Sequence, residues 1–409
     1  MENICIRCKG RGLCGQPCRI LAKFKESVPR IKTHFSGSTP PEVFVGRINY
    51  PNVFSGILSP VQHSDTTIYS SPEQWVSQNL SIEQILELRG QMIYGRSQSH
   101  IKSSEFNKDS GKFKQVTQEL ALSSKPVSTE FFLKHKPEFK FTASRFFQII
   151  ANPAPIQKIL LEENPKVEKK VDYLTNDYDV KSIQAIKELY KAKILTSHLQ
   201  KLLSVGLLGV KSSRKMVPTR WSITAIDDTL GKTLLENIRY YQELNEIQVF
   251  SQDYNGNHFD VLFLPGAFSF EVIETSMPGS VWSEQQPVDK SYSMQDYEGF
   301  FGRKTYATNV VGAYYTDRLA VCEYLNKIKR QATVLLLHEE RPEYYAPLGV
   351  GIIRESLRKA FTKKPQIYET IEDALRNIKN RTLVPTDKIK EMSWVLKNYG
   401  EQKSLKQWF

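Results

Sequence analysis

Apolar residues recur along this chain at two spacings, one helical and one alternating, and the changes between them mark out its elements. Ile82, Ile85 and Leu86 lie at helical spacing behind Ser71-Pro72-Glu73, where proline suits a first turn. Ser70 to Ile93 is therefore predicted to be helical. Val180 to Leu208 carries Ile183, Ile186, Leu189, Ile194, Leu199 and Leu202 at the same period and runs into Gly206 and Gly209, which predicts a long helix with a glycine stop. Glu42 to Val45 reads as a short strand. Ser222 to Ile226 alternates as a half-buried strand does, and Thr229 to Leu244 follows as a helix whose first turn Asp228 is placed to cap.

The remainder alternates between sheet and helix. Gln248 to Asp253 and His258 to Leu264 flank Asn255-Gly256-Asn257, a strong hairpin signal, and Phe268 to Glu274 adds a third strand. Thr316 to Lys329 is an amphipathic helix in which Cys322 acts as a small buried hydrophobe. Ala332 to Leu337 is a buried strand. Ile352 to Phe361 and Ile371 to Lys379 are helices around a short strand near Gln366 to Tyr368, and Thr386 to Lys397 is the last helix. No repeat of solenoid period occurs. The pattern predicts an α+β fold with an antiparallel or mixed sheet in its second half.

Composition narrows the partners. A chain of 409 residues with 40% hydrophobic and 24% charged residues can bury a full core and is expected to hold more than one domain. Its net charge of +12 favours a polyanion. No run of eighteen apolar residues offers a membrane span, and Met1-Glu2-Asn3-Ile4-Cys5 lacks the regions of a signal peptide, so a cytoplasmic, nucleoid-associated protein is expected.

Four of the five cysteines fall within the first eighteen residues, as Cys5-x2-Cys8-x5-Cys14-x3-Cys18. Gly10, Gly12 and Gly15 let so short a segment turn tightly enough for four sulfurs to converge. A closed tetrahedral site of four thiolates suits a structural zinc ion; an iron–sulfur cluster is the rival occupant. Residues 1–32 carry eight Lys/Arg, among them Arg7, Lys9 and Arg11, against Glu2 and Glu26, a surplus of six. Such a metal-braced basic knuckle is suited to phosphate backbones, although a charge run is also what a solvated face looks like.

Further basic candidates are spread along the chain. Arg47 ends the first strand, where it can present a guanidinium to phosphate; a turn feeding a strand explains it equally well. From Gly95 to Arg145 ten Lys/Arg stand against five acids, and Lys125 precedes the aromatic pair Phe131-Phe132. That stretch reads either as basic residues interleaved with stacking aromatics or as a loop-rich surface excursion. Arg214, Lys215 and Arg220 cluster closely enough for an anion site, and Arg303 and Lys304 sit in the aromatic stretch Tyr297 to Tyr306. For catalysis the candidates are Asp227 with Asp228, as paired acids for a divalent metal, and His338 with Glu339 beyond a strand end. No Walker, dinucleotide-binding or His-Glu-x-x-His signature is present.

The terminal eight residues, Gln402-Lys-Ser-Leu405-Lys-Gln-Trp408-Phe409, follow a specific spacing. One tight turn gathers Leu405, Trp408 and Phe409 into an apolar plug beside the Gln402 amide. The arrangement resembles the box by which replication and repair proteins dock on the sliding clamp PCNA, after a flexible link from Asn398.

Taken together the chain resembles the archaeal Nre family of DNA-repair proteins, in its NreA type. The residues that carry the likeness are Cys5 to Gly15, Phe44-Val-Gly-Arg47, Leu122-Ser-Ser-Lys-Pro-Val127, Val217-Pro-Thr-Arg-Trp-Ser-Ile-Thr-Ala225 and Gln402 to Phe409. The resemblance implies an archaeal, clamp-associated protein acting in repair of damaged DNA, with a metal-binding N-terminus. It implies no reaction. The expected organisation is a knuckle (1–22), an N-terminal α+β domain (23–165), a C-terminal α/β sheet domain (166–397) and a tail (398–409). Two functions follow: a DNA-binding repair factor recruited by its tail, or a metal-dependent enzyme acting on nucleic acid through nuclease or phosphoryl/nucleotidyl chemistry.

Overall fold

A computed structural model describes residues 18–102, 108–138, 149–150, 152–282 and 291–400. It is a mixed α+β protein of several sheets, divided into two compact units. The first runs to Leu230 and takes in Pro347–Gly351; the second holds Gly231–Ala346 and the chain from Ile352 onward.

In the first unit a helix, α1 (Arg19–Ser27), precedes strands β1 (His34–Thr39), β2 (Val43–Val45) and β3 (Asn52–Ser59). Helices α2 (Pro72–Ser77) and α3 (Ile82–Gly90) lead into β4 (Ile93–His100), α4 (Lys108–Leu122), β5 (Val127–Leu133) and β6 (Pro153–Leu161). The predicted single helix over 70–93 is thus two helices and a strand. Asn79, at φ 55°, breaks the helix, and Ser81 restarts it with a reciprocal capping box to Gln84. The stretch from Gly95, read as a possible loop-rich excursion, supplies β4, α4 and β5 instead.

The six strands form one sheet in the order β1-β5-β6-β4-β3-β2, antiparallel except for β4 beside β6. One face buries Phe35 stacked on Phe131 at 4.6 Å, with Ile57, Ile93 and Leu120 of α4. The other buries Leu58, Met92, Tyr94 and Ile150. Helices α5 (Lys169–Asn176), α6 (Ser182–Lys191) and α7 (Thr196–Ser204) follow. The predicted long helix over 180–208 is therefore two, parted where Lys193 turns to φ 66°. Val205 joins the core of the sheet, and His198 Nε2 lies 2.8 Å from the Ala121 carbonyl. For that reason the unit reaches far beyond residue 165, the expected boundary.

Helix α8 (Thr219–Ile238) crosses from one unit into the next in sequence. The strand expected over Ser222 to Ile226 is its first turns. Ile223, Ile226, Leu230 and Leu234 are all buried at helical spacing, and that longer period overrides the short alternation of β-branched residues.

The second unit is built on β8 (Ile247–Tyr254), β9 (Asn257–Leu264), β10 (Ser269–Ser276), β11 (Tyr292–Glu298), β13 (Thr333–Glu340) and β14 (Gln366–Tyr368), in the order β11-β10-β13-β9-β8-β14. Two-residue strands β7 (Gln242–Glu243) and β12 (Arg330–Gln331) pair separately. The β8–β9 hairpin turns at Asn255 and Gly256 (φ 49° and 77°), as the sequence predicts. β10 and β13 are parallel, joined by a connection that contains α9 (Gly312–Ile328). β9 and β10 are buried along their whole length. On one face Phe250 and Phe263 meet Tyr324 and Phe361, the latter just beyond α10 (Val350–Ala360). On the other, Leu262, Leu264 and Leu335 meet α11 (Ile371–Lys379), α12 (Thr386–Met392) and α13 (Trp394–Asn398). The predicted last helix is two, because Ser393 caps α13 through its hydroxyl.

Candidate nucleic-acid interface

Two sequence stretches meet in the first unit, across a separation of 174 residues. The Val45 amide donates to the Thr219 hydroxyl at 2.9 Å, and that hydroxyl lies 3.2 Å from the Ser204 hydroxyl. Beneath them Val45, Val53, Ile101 and Met216 form a small apolar cluster, with the Met216 amide bonded to the Ile101 carbonyl at 3.0 Å. β2 then gives way to a turn over residues 46–51 in which Asn49 takes φ 63°. This turn lifts Arg47, Ile48 and Tyr50 to the surface, Ile48 to 75% exposure. The Tyr50 ring stands 5.0 Å from the Trp221 ring in the first turn of α8. Lys215 is exposed on the chain leading into that helix, and Arg220 is half-buried in its first turn.

The two rings thus meet where the turn that carries Arg47 joins the stretch that carries Lys215 and Arg220. Cations neutralise phosphate and the rings offer π-faces to bases. On the adjacent β3–β4 pair, Arg96 holds its guanidinium 4.4 Å from the Phe54 ring.

The other cationic candidates have different settings. Arg214 donates to the carbonyls of Gly209, Thr175 and Asp177 at 2.6, 2.6 and 2.8 Å, with its guanidinium over Tyr178. It ties the C-terminal end of α5 to the loop at Gly209. Lys125 is exposed on the turn between α4 and β5. Lys304 is exposed in the second unit, whereas Arg303 bonds Asp296 at 3.0 Å and the Tyr297 carbonyl at 2.8 Å. Arg7, Lys9, Arg11, Cys5, Cys8 and Cys14 lie outside the described residues, as do Gln402, Leu405, Trp408 and Phe409. Cys18 is described: its sulfur accepts the Leu21 amide at 3.4 Å and caps α1.

The catalytic candidates do not converge. Asp227 is fully buried and accepts from Gln200 at 3.1 Å; Asp228 follows it in mid-helix, about 100° around the axis, far from the helix start it was expected to cap. His338 and Glu339 are neighbours on β13 and therefore face opposite sides of the sheet. His338 stacks on Phe259 at 4.4 Å and reaches the Asn257 side-chain oxygen at 3.0 Å. Glu339 accepts from Arg341 at 2.9 Å and from the amides of Leu383 and Val384 at 2.8 and 2.9 Å. Among the described residues no three His, Cys, Asp or Glu side chains gather as a metal would require.

Sequence reasoning missed the ion network at the β8–β9 hairpin. His258 lies 2.7 Å from Asp253 and 2.9 Å from Asp260, and Asp260 also holds Arg381 at 2.8 Å. Burial opposes charging His258, but the two carboxylates outweigh it and push its pKa up to about 9. The signal was present: His258 and Asp260 are two apart on one strand and share a face.

Comparison with known proteins identifies the lineage. Residues 13–283 match the family model "Archaeal Nre, N-terminal" and residues 298–408 match "Archaeal Nre, C-terminal". The chain belongs to the archaeal Nre family. It is 36% identical to DNA repair protein NreB of Archaeoglobus fulgidus over 98% of both chains. It is 34% identical to DNA repair protein NreA of the same organism, over 92% of this chain and 94% of that one. DNA repair protein NreA of Haloferax volcanii is 35% identical over 87% of this chain and 84% of its own. These identities do not separate the NreA from the NreB type. No solved structure matches. Both stretches that meet at the Arg47–Trp221 surface lie within the N-terminal Nre match. Among the described residues of this Nre chain, no helix is long and apolar enough to cross a membrane.

Proposed function

We propose that the protein is a DNA-repair factor that binds DNA through the Arg47–Trp221 surface and is carried to the sliding clamp by its last eight residues. The observation that carries this reading is the joining of Phe44–Arg47 to Val217–Trp221 through the Val45–Thr219 hydrogen bond, which brings two basic stretches together beside two exposed rings. A net charge of +12 and relatives named as DNA repair proteins support it. The basic N-terminal knuckle, with Cys5, Cys8, Cys14 and Cys18 holding a zinc ion, supplies further phosphate contacts through Arg7, Lys9 and Arg11. No observation favours the second reading, a metal-dependent enzyme, over this one.

Fluorescence anisotropy with a labelled duplex tests the DNA contact. Full-length protein binds, and the Arg47→Ala/Lys215→Ala variant binds at least several-fold more weakly at the same salt, because each exposed cation lost frees one phosphate. Equal affinity of the variant would overturn the assignment of this surface. Recruitment is read separately on immobilised clamp: the full chain is retained and a chain lacking Gln402 to Phe409 is not. Retention of both would remove the tail from the account.

A further inference from the structure

The two most exposed large apolar side chains among the described residues are Phe301, at 90%, and Tyr240, at 89%. Neither is on a slack loop. Phe301 sits at the apex of a turn closed by the Gly302 amide on the Gly299 carbonyl at 2.9 Å, with Gly302 at φ 78°. Arg303 clamps that turn from behind through Asp296 and the carbonyls of Tyr297 and Tyr306. Its amide donates to Glu298, which is in turn paired with buried Arg318 at 2.9 Å.

Tyr240 is braced in the same manner. Its amide bonds the Asn237 carbonyl at 3.0 Å, and the Gln331 amide group spans the carbonyls of Arg239 and Tyr241, at 3.4 and 2.7 Å. Arg239 links the two turns: its guanidinium lies 5.7 Å from the Phe300 ring, and its nearer nitrogen would come within 3.4 Å of a Cβ on Gly302. The Arg239 Nε is buried with no hydrogen-bond partner. Lys304 is exposed just beyond the turn.

Two large rings are thus held almost wholly in water on braced backbone, where they are open to a stacking partner. Here the rings stand beside Arg239, between the two turns, and Lys304, just beyond one of them, and cations next to stacking faces suit a phosphate-bearing partner. We propose that Tyr240, Phe301, Arg239 and Lys304 form a binding surface for unpaired nucleotides: the rings stack on exposed bases and the cations hold the intervening phosphates. Duplex DNA buries its base faces in its own stack, so this surface takes single-stranded or locally opened DNA. Arg303 is a positioning residue here, since its donors are spent on shaping the turn. The proposal rests on the DNA-binding reading above and adds the class of DNA recognised.

The test compares full-length protein with Tyr240→Ala/Phe301→Ala, using a labelled oligothymidylate and a labelled duplex of equal length. The double variant is expected to lose single-strand affinity by about tenfold or more while duplex affinity stays within about twofold. Tyr240→Phe/Phe301→Trp keeps both stacking faces and is expected to bind oligothymidylate as the parent does. Unchanged single-strand affinity of the alanine variant overturns this proposal and leaves the Arg47–Trp221 reading standing. An equal loss on duplex and single strand also overturns it, since the surface would then not select unpaired bases. If the parent binds neither DNA, the DNA-binding reading itself fails.

Discussion

His258 shows how far one side chain couples the second unit to pH. It is 2% exposed and wedged between Asp253 and Asp260. Its pKa rises from 6.5 to about 9 because the carboxylate hydrogen bonds exceed the penalty of burial. A raised folded-state pKa means the imidazolium stabilises the fold fully below the unfolded value and loses that contribution as pH climbs through the folded one. Stability is therefore expected to fall by roughly 2 to 3 kcal/mol between about pH 6.5 and pH 9.5. Thermal melts of the parent should show the decline and His258→Gln should flatten it; a parent curve flat over that range would remove the charged network. At this scale the sequence was partly readable. Arg47 and Trp221 stand out as motif residues, but Arg214 and Arg303 look equally free in the chain and prove to be tied to carbonyls. Bonds from a side chain to distant backbone leave no mark in local sequence.

Elements followed the apolar pattern where a turn residue confirmed it. Asn255-Gly256 gave the hairpin, and Ser71-Pro72 gave a helix start. The pattern misled where backbone conformation intervened, as at Asn79 and Lys193, or where β-branched residues imitated a strand at the start of α8. The start of α1 joins element to candidate chemistry, because Cys18 is its cap and the expected fourth zinc ligand. Serine caps a helix at least as well as cysteine but ligates zinc poorly. Cys18→Ser is thus expected to keep the helical content while zinc, measured by elemental analysis, drops from about one per chain. Full zinc retention would exclude Cys18 as a ligand, and iron with matching acid-labile sulfide in place of zinc would establish a cluster.

At the scale of the molecule, the division after Leu230 was not legible, because Val205 joins the core of the first sheet and His198 bonds the end of α4 from far along the chain. The family, by contrast, was readable in motifs spread over the whole length. The proposed interface depends on two of those motifs meeting, and on phosphate being what they meet. Affinity for duplex DNA as a function of salt tests that most directly. The account predicts that log K falls steeply and linearly with log salt, and that Arg47→Ala/Lys215→Ala makes the slope shallower by about two. A parent affinity indifferent to salt, or an identical slope in the variant, would contradict it.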